Sequence, residues 1–161
     1  MSDPRFSIDK AHSIAEIDEV RTLFREYEQS LNIDLCFQGF EDELATLPGN
    51  YSPPAGELLL ARDPDGAPLG CIALRPTEID GVCEMKRLYV RPTGRGRGLG
   101  RALVEAIEAE ATASGYHEMR LDTLPSMERA IALYRSLGFE PIAAYYQTPV
   151  EHTVFLAKSL K

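Results

Sequence analysis

Arg95-Gly96-Arg97-Gly98-Leu99-Gly100-Arg101 interleaves guanidinium groups with residues that have no side chain, and it follows closely on the hydrophobic run Leu88-Tyr89-Val90. A segment that ends a strand and opens a helix leaves several backbone N–H groups unpaired and turns the positive helix end toward one point. That point suits a phosphate. Glycine keeps Cβ atoms away from the main-chain donors, and arginine adds charge-assisted, often bidentate contacts. From Lys86 to Arg101 there are six basic residues (Lys86, Arg87, Arg91, Arg95, Arg97, Arg101) and no acidic one, in a chain of net charge −8. A charge run by itself is usually a solvated face. Its coincidence with a glycine ladder points instead to a small, highly charged anion.

The spacing narrows the choice of anion. A dinucleotide fingerprint G-x-G-x-x-G fails because Leu99 and Arg101 occupy the positions required after Gly94-Gly96 and Gly96-Gly98, and no G-x-x-x-x-G-K-[ST] loop can be drawn. What fits is [QR]-x-x-G-x-[GA], with Arg95, Gly98 and Gly100 in the required places. This resembles the acetyl-CoA-binding motif of the GNAT N-acetyltransferase family. Leu133-Tyr134-Arg135-Ser136-Leu137-Gly138-Phe139 resembles that family's second motif, L-Y-x-x-x-G-F. The resemblance runs from about residue 57 to the end, and the N-terminal part matches only in its helical character.

The resemblance implies an α/β fold: a mixed sheet splayed between its fourth and fifth strands, with about four helices, in one domain over residues 1–161. It implies acetyl-CoA as cofactor, with the pantetheine lying in the splay as a pseudo-strand. Leu88, Tyr89 and Val90 would line it, main-chain groups of Leu88 and Val90 pairing with it. Arg95, Gly96, Arg97, Gly98, Leu99, Gly100 and Arg101 would take the pyrophosphate. Such positioning lowers a barrier by orienting the reactants. Many members carry an asparagine seven residues before the tyrosine, where this chain has Met127, so that polar contact is absent or comes from Ser126.

An amine arrives mostly as ammonium and must lose a proton before it attacks a thioester, and a carboxylate can remove it. Glu84 is the candidate, eleven positions before Arg95 on the strand beside the thioester, where some family members place a glutamate base. The bland alternative is a strand glutamate in solvent or paired with Lys86 or Arg87. Tyr134 shares a helical face with Met127, Ala130 and Ile131, which by periodicity alone is a core position. Its place in the second motif implies a hydroxyl near the departing sulfur. With reference pKa values near 10 and 8.5, full proton transfer to a thiolate is uphill by roughly 2 kcal/mol, so hydrogen bonding is the safer description. Cys83 and Ser136 lack a sequence-visible activating partner, which favours direct transfer. Phe37, Phe40, Tyr51, Tyr145, Tyr146 and His152 are expected acceptor-side residues, because the family forms that site from N-terminal helices and late strands; each fits core or surface packing equally.

These residues need a scaffold. A strand at 5–8 precedes an amphipathic helix in which Ile14, Ile17, Val20, Phe24, Tyr27 and Leu31 recur at helical spacing after Ser13, an N-cap candidate. A short helix is expected at 41–47, before a Pro-rich stretch. Strands at 57–62, 69–75 and 82–90, separated by Asp63-Pro64-Asp65-Gly66 and Asp80-Gly81, read as an antiparallel meander. Leu99, Ala102, Leu103, Ala106 and Ile107 mark a helix that stops at Gly115. A strand at 118–123 makes this passage a parallel crossover. A helix at 126–137 and strands at 139–144 and 153–158 complete the chain.

Composition sets the outer limits. The acidic balance counts against nucleic acid or anionic membrane as partner. No apolar run approaches the roughly 20 residues of a membrane span, and the start lacks a signal-peptide pattern, so a cytoplasmic location is expected. Three cysteines without a C-x-x-C pair, and three scattered histidines, predict neither disulfide nor metal. The function expected is acetyl transfer to a primary amine, small-molecule or peptide, and the resemblance allows a homodimer. The rival is a domain that senses acyl-CoA without catalysis; Glu84 and Tyr134 together favour the enzyme.

Overall fold

The computed structural model describes residues 5–31 and 39–160. Its elements run β1 (Ser7–Lys10), α1 (Ile14–Leu31), α2 (Phe40–Thr46), β2 (Glu57–Arg62), β3 (Pro68–Pro76), β4 (Val82–Val90), α3 (Leu99–Ala113), β5 (Glu118–Thr123), α4 (Glu128–Ser136), β6 (Glu140–Pro141) and β7 (Val154–Ser159). The seven strands form one sheet in the order β1-β2-β3-β4-β5-β7-β6, antiparallel except for the parallel pair β4 and β5. The expected meander and the crossover through α3 are both present.

Both faces of the sheet are covered, which is why β2 and β3 read as nearly continuous apolar runs rather than alternating ones. On one face Val20, Leu23 and Phe24 of α1 and Phe40 and Leu44 of α2 pack on Leu58, Leu60, Cys71 and Ala73. On the other, Leu99, Leu103, Val104 and Ile107 of α3 pack on Leu59, Ile72, Leu74, Met85, Met119 and Leu121, joined by Tyr134 and Phe139. Ser13 caps α1 reciprocally: the Glu16 N–H donates to its Oγ at 3.1 Å, and its own N–H donates to Glu16 Oε1 at 2.9 Å. Ile14, expected on the buried stripe, is instead 85% exposed at the first residue of the helix.

Three boundaries differ from the sequence expectation. The first strand lies later, at Ser7–Lys10, where it pairs with Arg62 through Leu59. The α4 helix starts at Glu128, because Leu124 to Met127 close a turn after Thr123, the Met127 N–H donating to the Leu124 carbonyl at 3.0 Å. The strand expected at 139–144 shrinks to Glu140–Pro141; Pro141 has no N–H, and Tyr145 and Tyr146 leave the sheet line to pack edge-on against Phe155 at 5.1 and 5.2 Å between ring centroids.

Candidate functional site

Two strands part at the centre of the molecule. Parallel pairing of β4 with β5 covers Val82↔Glu118, Cys83↔Met119 and Glu84↔Arg120, and then ceases, while β5 continues against β7 through Thr123↔Val154. The half of β4 from Met85 to Val90 therefore has no strand on its β5 side. A narrow cleft occupies the gap, lined among others by Leu88, Asp122, Tyr134 and Tyr146. The opening suits an extended chain that pairs with strand backbone.

Immediately past β4 lies the glycine loop. A 3₁₀ turn at Pro92–Gly94 leads to Gly96 and Gly98, both with left-handed backbone (φ 81 and 75°), and Gly98 forms the N-cap of α3 with no side-chain cap. A Cβ at Gly96 or Gly98 would meet nothing within 4 Å, so packing does not call for glycine there. Left-handed backbone and an open approach to the main chain do. Among the described residues nothing accepts a hydrogen bond from the N–H groups of Gly96 through Arg101; the first helical N–H with a partner is that of Ala102, which donates to the Gly98 carbonyl at 3.1 Å. Six successive donors at a helix N-terminus are the cradle a pyrophosphate needs. Arg101 spans from this loop to α4, donating to Ser136 Oγ at 3.1 Å, while Arg95 donates to the Val90 carbonyl at 3.2 Å and Arg97 to that of Arg5 at 3.2 Å.

A β-bulge aims the middle of β4. Cys71 faces Tyr89 and Ala73 faces Lys86, so the single residue Ile72 opposes both Arg87 and Leu88, and Arg87 takes φ 62°. Left-handed backbone at a residue with a Cβ costs about 1–2 kcal/mol and persists only where surroundings enforce it. Glu43 of α2 accepts both Arg87 Nε and Nη2 at 3.0 Å, and the guanidinium lies 5.2 Å from the Phe40 ring centroid. The bulge puts Lys86 and Arg87 on the same face, and it returns Leu88 and Val90 to the face packed by α3. Glu43→Leu would leave the buried Arg87 without its bidentate partner and is expected to lower unfolding free energy by roughly 3 kcal/mol. Urea unfolding measures this, and a loss under about 1 kcal/mol would show that another contact holds the bulge.

Tyr134 is 5% exposed and stands edge-on to Phe139, with ring centroids 5.9 Å apart. Gly138, at φ 99°, lets the chain turn back so that the Phe139 N–H donates to the Tyr134 carbonyl at 3.0 Å, which fixes this pair. The Tyr134 hydroxyl has no hydrogen bond to a described residue, and it is not sealed off, since Tyr51 Oη is the sole buried partnerless side-chain polar atom among the described residues. It opens on the cleft. Burial pushes its pKa well above the ordinary phenol value, so it stays protonated at neutral pH.

Next to it, across β3, β4 and the start of β5, lies a wider cleft of about 650 Å³, which shares Lys86 and Tyr146 with the first. Glu84, 4% exposed, is held at both oxygens: Arg75 Nε donates to Oε1 at 2.8 Å and the Tyr145 hydroxyl to Oε2 at 2.8 Å. Its partners are thus neither Lys86 nor Arg87. Lys86, 7% exposed, donates to Asp122 at 3.3 Å, and Asp122 also accepts from the Tyr146 hydroxyl at 2.7 Å. Burial draws the Lys86 pKa below the ordinary ammonium value, with Asp122 opposing. Burial and the neighbouring carboxylates raise Tyr145 and Tyr146, keeping both as donors.

The remaining sequence candidates scatter. Tyr89 turns its side chain toward α1, its hydroxyl donating to Glu26 at 3.3 Å. Phe40 and Tyr51 are buried in the core beneath the sheet face that carries Arg87, and His152 sits exposed in the turn before β7; Phe40 and His152 line neither cleft, nor does Tyr51. Phe37 and Cys36 lie outside the described residues. Burial pushes the Cys83 thiol up to about 12, which leaves it without thiolate character, and Ser136 Oγ is committed to the Leu133 carbonyl at 2.7 Å. Cys83→Ala is accordingly expected to keep kcat within about 3-fold, as an assay of thiol release checks. Sequence reasoning missed the Arg87 bulge, the Lys86–Asp122 pair, Arg75 and Arg120. The signal for the last two was their two-residue phase with Ala73 and Asp122 along β3 and β5.

The Acetyltransferase (GNAT) family profile matches residues 17–139. An uncharacterized N-acetyltransferase of Schizosaccharomyces pombe is 42% identical over 97% of this chain and 96% of its own length. Another, from Dictyostelium discoideum, is 30% identical over 91% of this chain and 95% of its own. Among solved structures, a Salmonella typhimurium protein bound to its cofactor acetyl-CoA has the same fold, with a TM-score of 0.73 at 21% identity over 98% of this chain and 95% of that one.

Proposed function

The chain belongs to the GNAT family of acetyl-CoA-dependent N-acetyltransferases, and from that premise we propose that Glu84 and Tyr134 carry out direct acetyl transfer to a primary amine within one domain spanning residues 1–161. The observation that carries the reading is the run of six unpaired N–H groups from Gly96 to Arg101, directly after the splayed half of β4. Arg95 to Arg101 hold the pyrophosphate, and the main chain of Leu88, Tyr89 and Val90 holds the pantetheine. Acetyl-CoA supplies the acetyl group activated as a thioester.

Glu84 takes the ammonium proton. Its two tethers use one lone pair on each oxygen, and the second lone pair of each remains for an amine in the wider cleft. Arg75 and Tyr145 also fix the carboxylate's orientation, so no reorganisation is needed at the moment of reaction. The Lys86 ammonium nearby disfavours a cationic amine in the cleft and favours the neutral, nucleophilic form. Tyr134 donates a hydrogen bond toward the departing sulfur. With its pKa raised, full proton transfer is less favourable still, so stabilisation of the thiolate is the role. The high thiol pKa of Cys83, about 12, supports direct transfer over an acyl-cysteine route. Free, buried Cys71 and Cys83 fit a reducing cytoplasm.

Glu84→Gln keeps the size of the side chain and removes the base. We expect kcat/KM for the amine to fall about 100-fold, with the acetyl-CoA KM within about 3-fold of native. Thiol release across a panel of primary amines measures both, and undiminished kcat/KM would remove Glu84 from the mechanism.

A further inference from the structure

Building on the acetyl-transfer reading, we propose that the acceptor carries a carboxylate on the same molecule as its amine, and that the guanidinium forks of Arg75 and Arg120 receive it. Strand register sets Arg75 opposite Glu84 and Glu84 opposite Arg120, so the three form one row across β3, β4 and β5. All three line the wider cleft. Each arginine is anchored at one end only. Arg75 donates its Nε to Glu84 at 2.8 Å, and Arg120 donates its Nε to Glu118 at 2.6 Å, with its guanidinium 5.4 Å from the Tyr145 ring centroid.

The terminal nitrogens of both have no hydrogen bond to a described residue, and none is among the buried atoms that lack a partner, so both forks are open to the cleft. A guanidinium fork presents parallel donors that match a carboxylate, and tethering at Nε with a ring beneath one of them fixes the plane beforehand. Beyond the one lone pair on each Glu84 oxygen that is left for the amine, the carboxylates in reach are engaged: Arg75 and Tyr145 hold Glu84, and Lys86 and Tyr146 hold Asp122. The unfilled capacity of the cleft interior is therefore donor capacity, while Glu78 stands exposed at the rim. A polyamine would bring further positive charge against two guanidiniums and Lys86. An amino acid brings the missing anion.

The test measures thiol release from acetyl-CoA with glycine, β-alanine, aspartate and glutamate beside their carboxamides and putrescine. At least one acid is expected to exceed its carboxamide by about 10-fold or more in kcat/KM. In Arg120→Gln that acid-to-carboxamide ratio is expected to fall roughly 10- to 100-fold, mostly through KM, as loss of a charge-assisted contact predicts. Arg120→Lys, which keeps the charge and loses the fork, should recover only part. Putrescine or the carboxamides preferred by the native protein, no acid acetylated at all, or an Arg120→Gln that slows acids and carboxamides equally would overturn the inference. Acetyl-CoA titration separates the two levels: binding without a preference for acids sinks this inference alone, whereas no binding removes the acetyl-transfer reading beneath it.

Discussion

Tyr134→Phe is expected to lower kcat by about 10²- to 10⁴-fold while the KM for acetyl-CoA moves less than about 3-fold. The substitution removes one oxygen and keeps the ring, so the edge-on contact with Phe139 and the packing at the foot of α4 survive. Because no described residue accepts or donates at that hydroxyl, its loss strands no buried partner, and the thermal midpoint should stay close to native. With the proposed role, the effect is confined to the developing charge on sulfur. A fall in kcat shared equally with a large rise in KM would mean that the hydroxyl binds the ground state, and an unchanged kcat would make Tyr134 a packing residue. A leaving group less basic than coenzyme A, such as an activated acyl thioester with an electron-poor thiol, should recover part of the loss, which a structural defect would not allow.

Gly98→Glu is expected to raise the acetyl-CoA KM more than about 100-fold and to abolish thermal stabilisation by the cofactor. Two effects combine at this position. The side chain would rise from the N-cap of α3 into the open space before six N–H donors, and its charge would repel a pyrophosphate from the site its own backbone serves. A Cβ at φ 75° adds roughly 1 kcal/mol of strain. Gly115→Glu is the control, because Gly115 has φ 92° and equally open surroundings just past the C-terminal end of α3, at the opposite end of that helix from the loop. It should show the strain and none of the loss of binding.

What could be read from the sequence was what short spacing encodes. The glycine loop and the second motif are local patterns, and the backbone geometry they require, left-handed glycines at an N-cap and at the end of α4, follows from residue type. The meander of β2 to β4 and the crossover to β5 were legible for the same reason, whereas the place of β7 between β5 and β6 was not. The Arg87 bulge was not, since arginine has no preference for positive φ; it is imposed by Glu43 and Phe40, which lie more than forty positions away. Lys86 and Asp122 are likewise brought together only by the parallel register of β4 and β5. Glu84 illustrates the boundary. Its strand could be read from the sequence and its candidate role came from the resemblance, but the tethers that hold its carboxylate come from Arg75 of β3 and from Tyr145 between β6 and β7. Ile14 failed for a smaller reason: periodicity assigns a stripe without saying where along the helix burial begins.

The most direct test of the central claim is calorimetric titration of the native protein with acetyl-CoA and, in parallel, with ATP. Saturable one-to-one binding of acetyl-CoA, with ATP far weaker, is the result expected of a loop that reads a pyrophosphate and a strand that holds a pantetheine. A folded native protein that takes up no acetyl-CoA, or that binds ATP as tightly, would contradict the assignment of the glycine loop and the β4–β5 cleft to this cofactor.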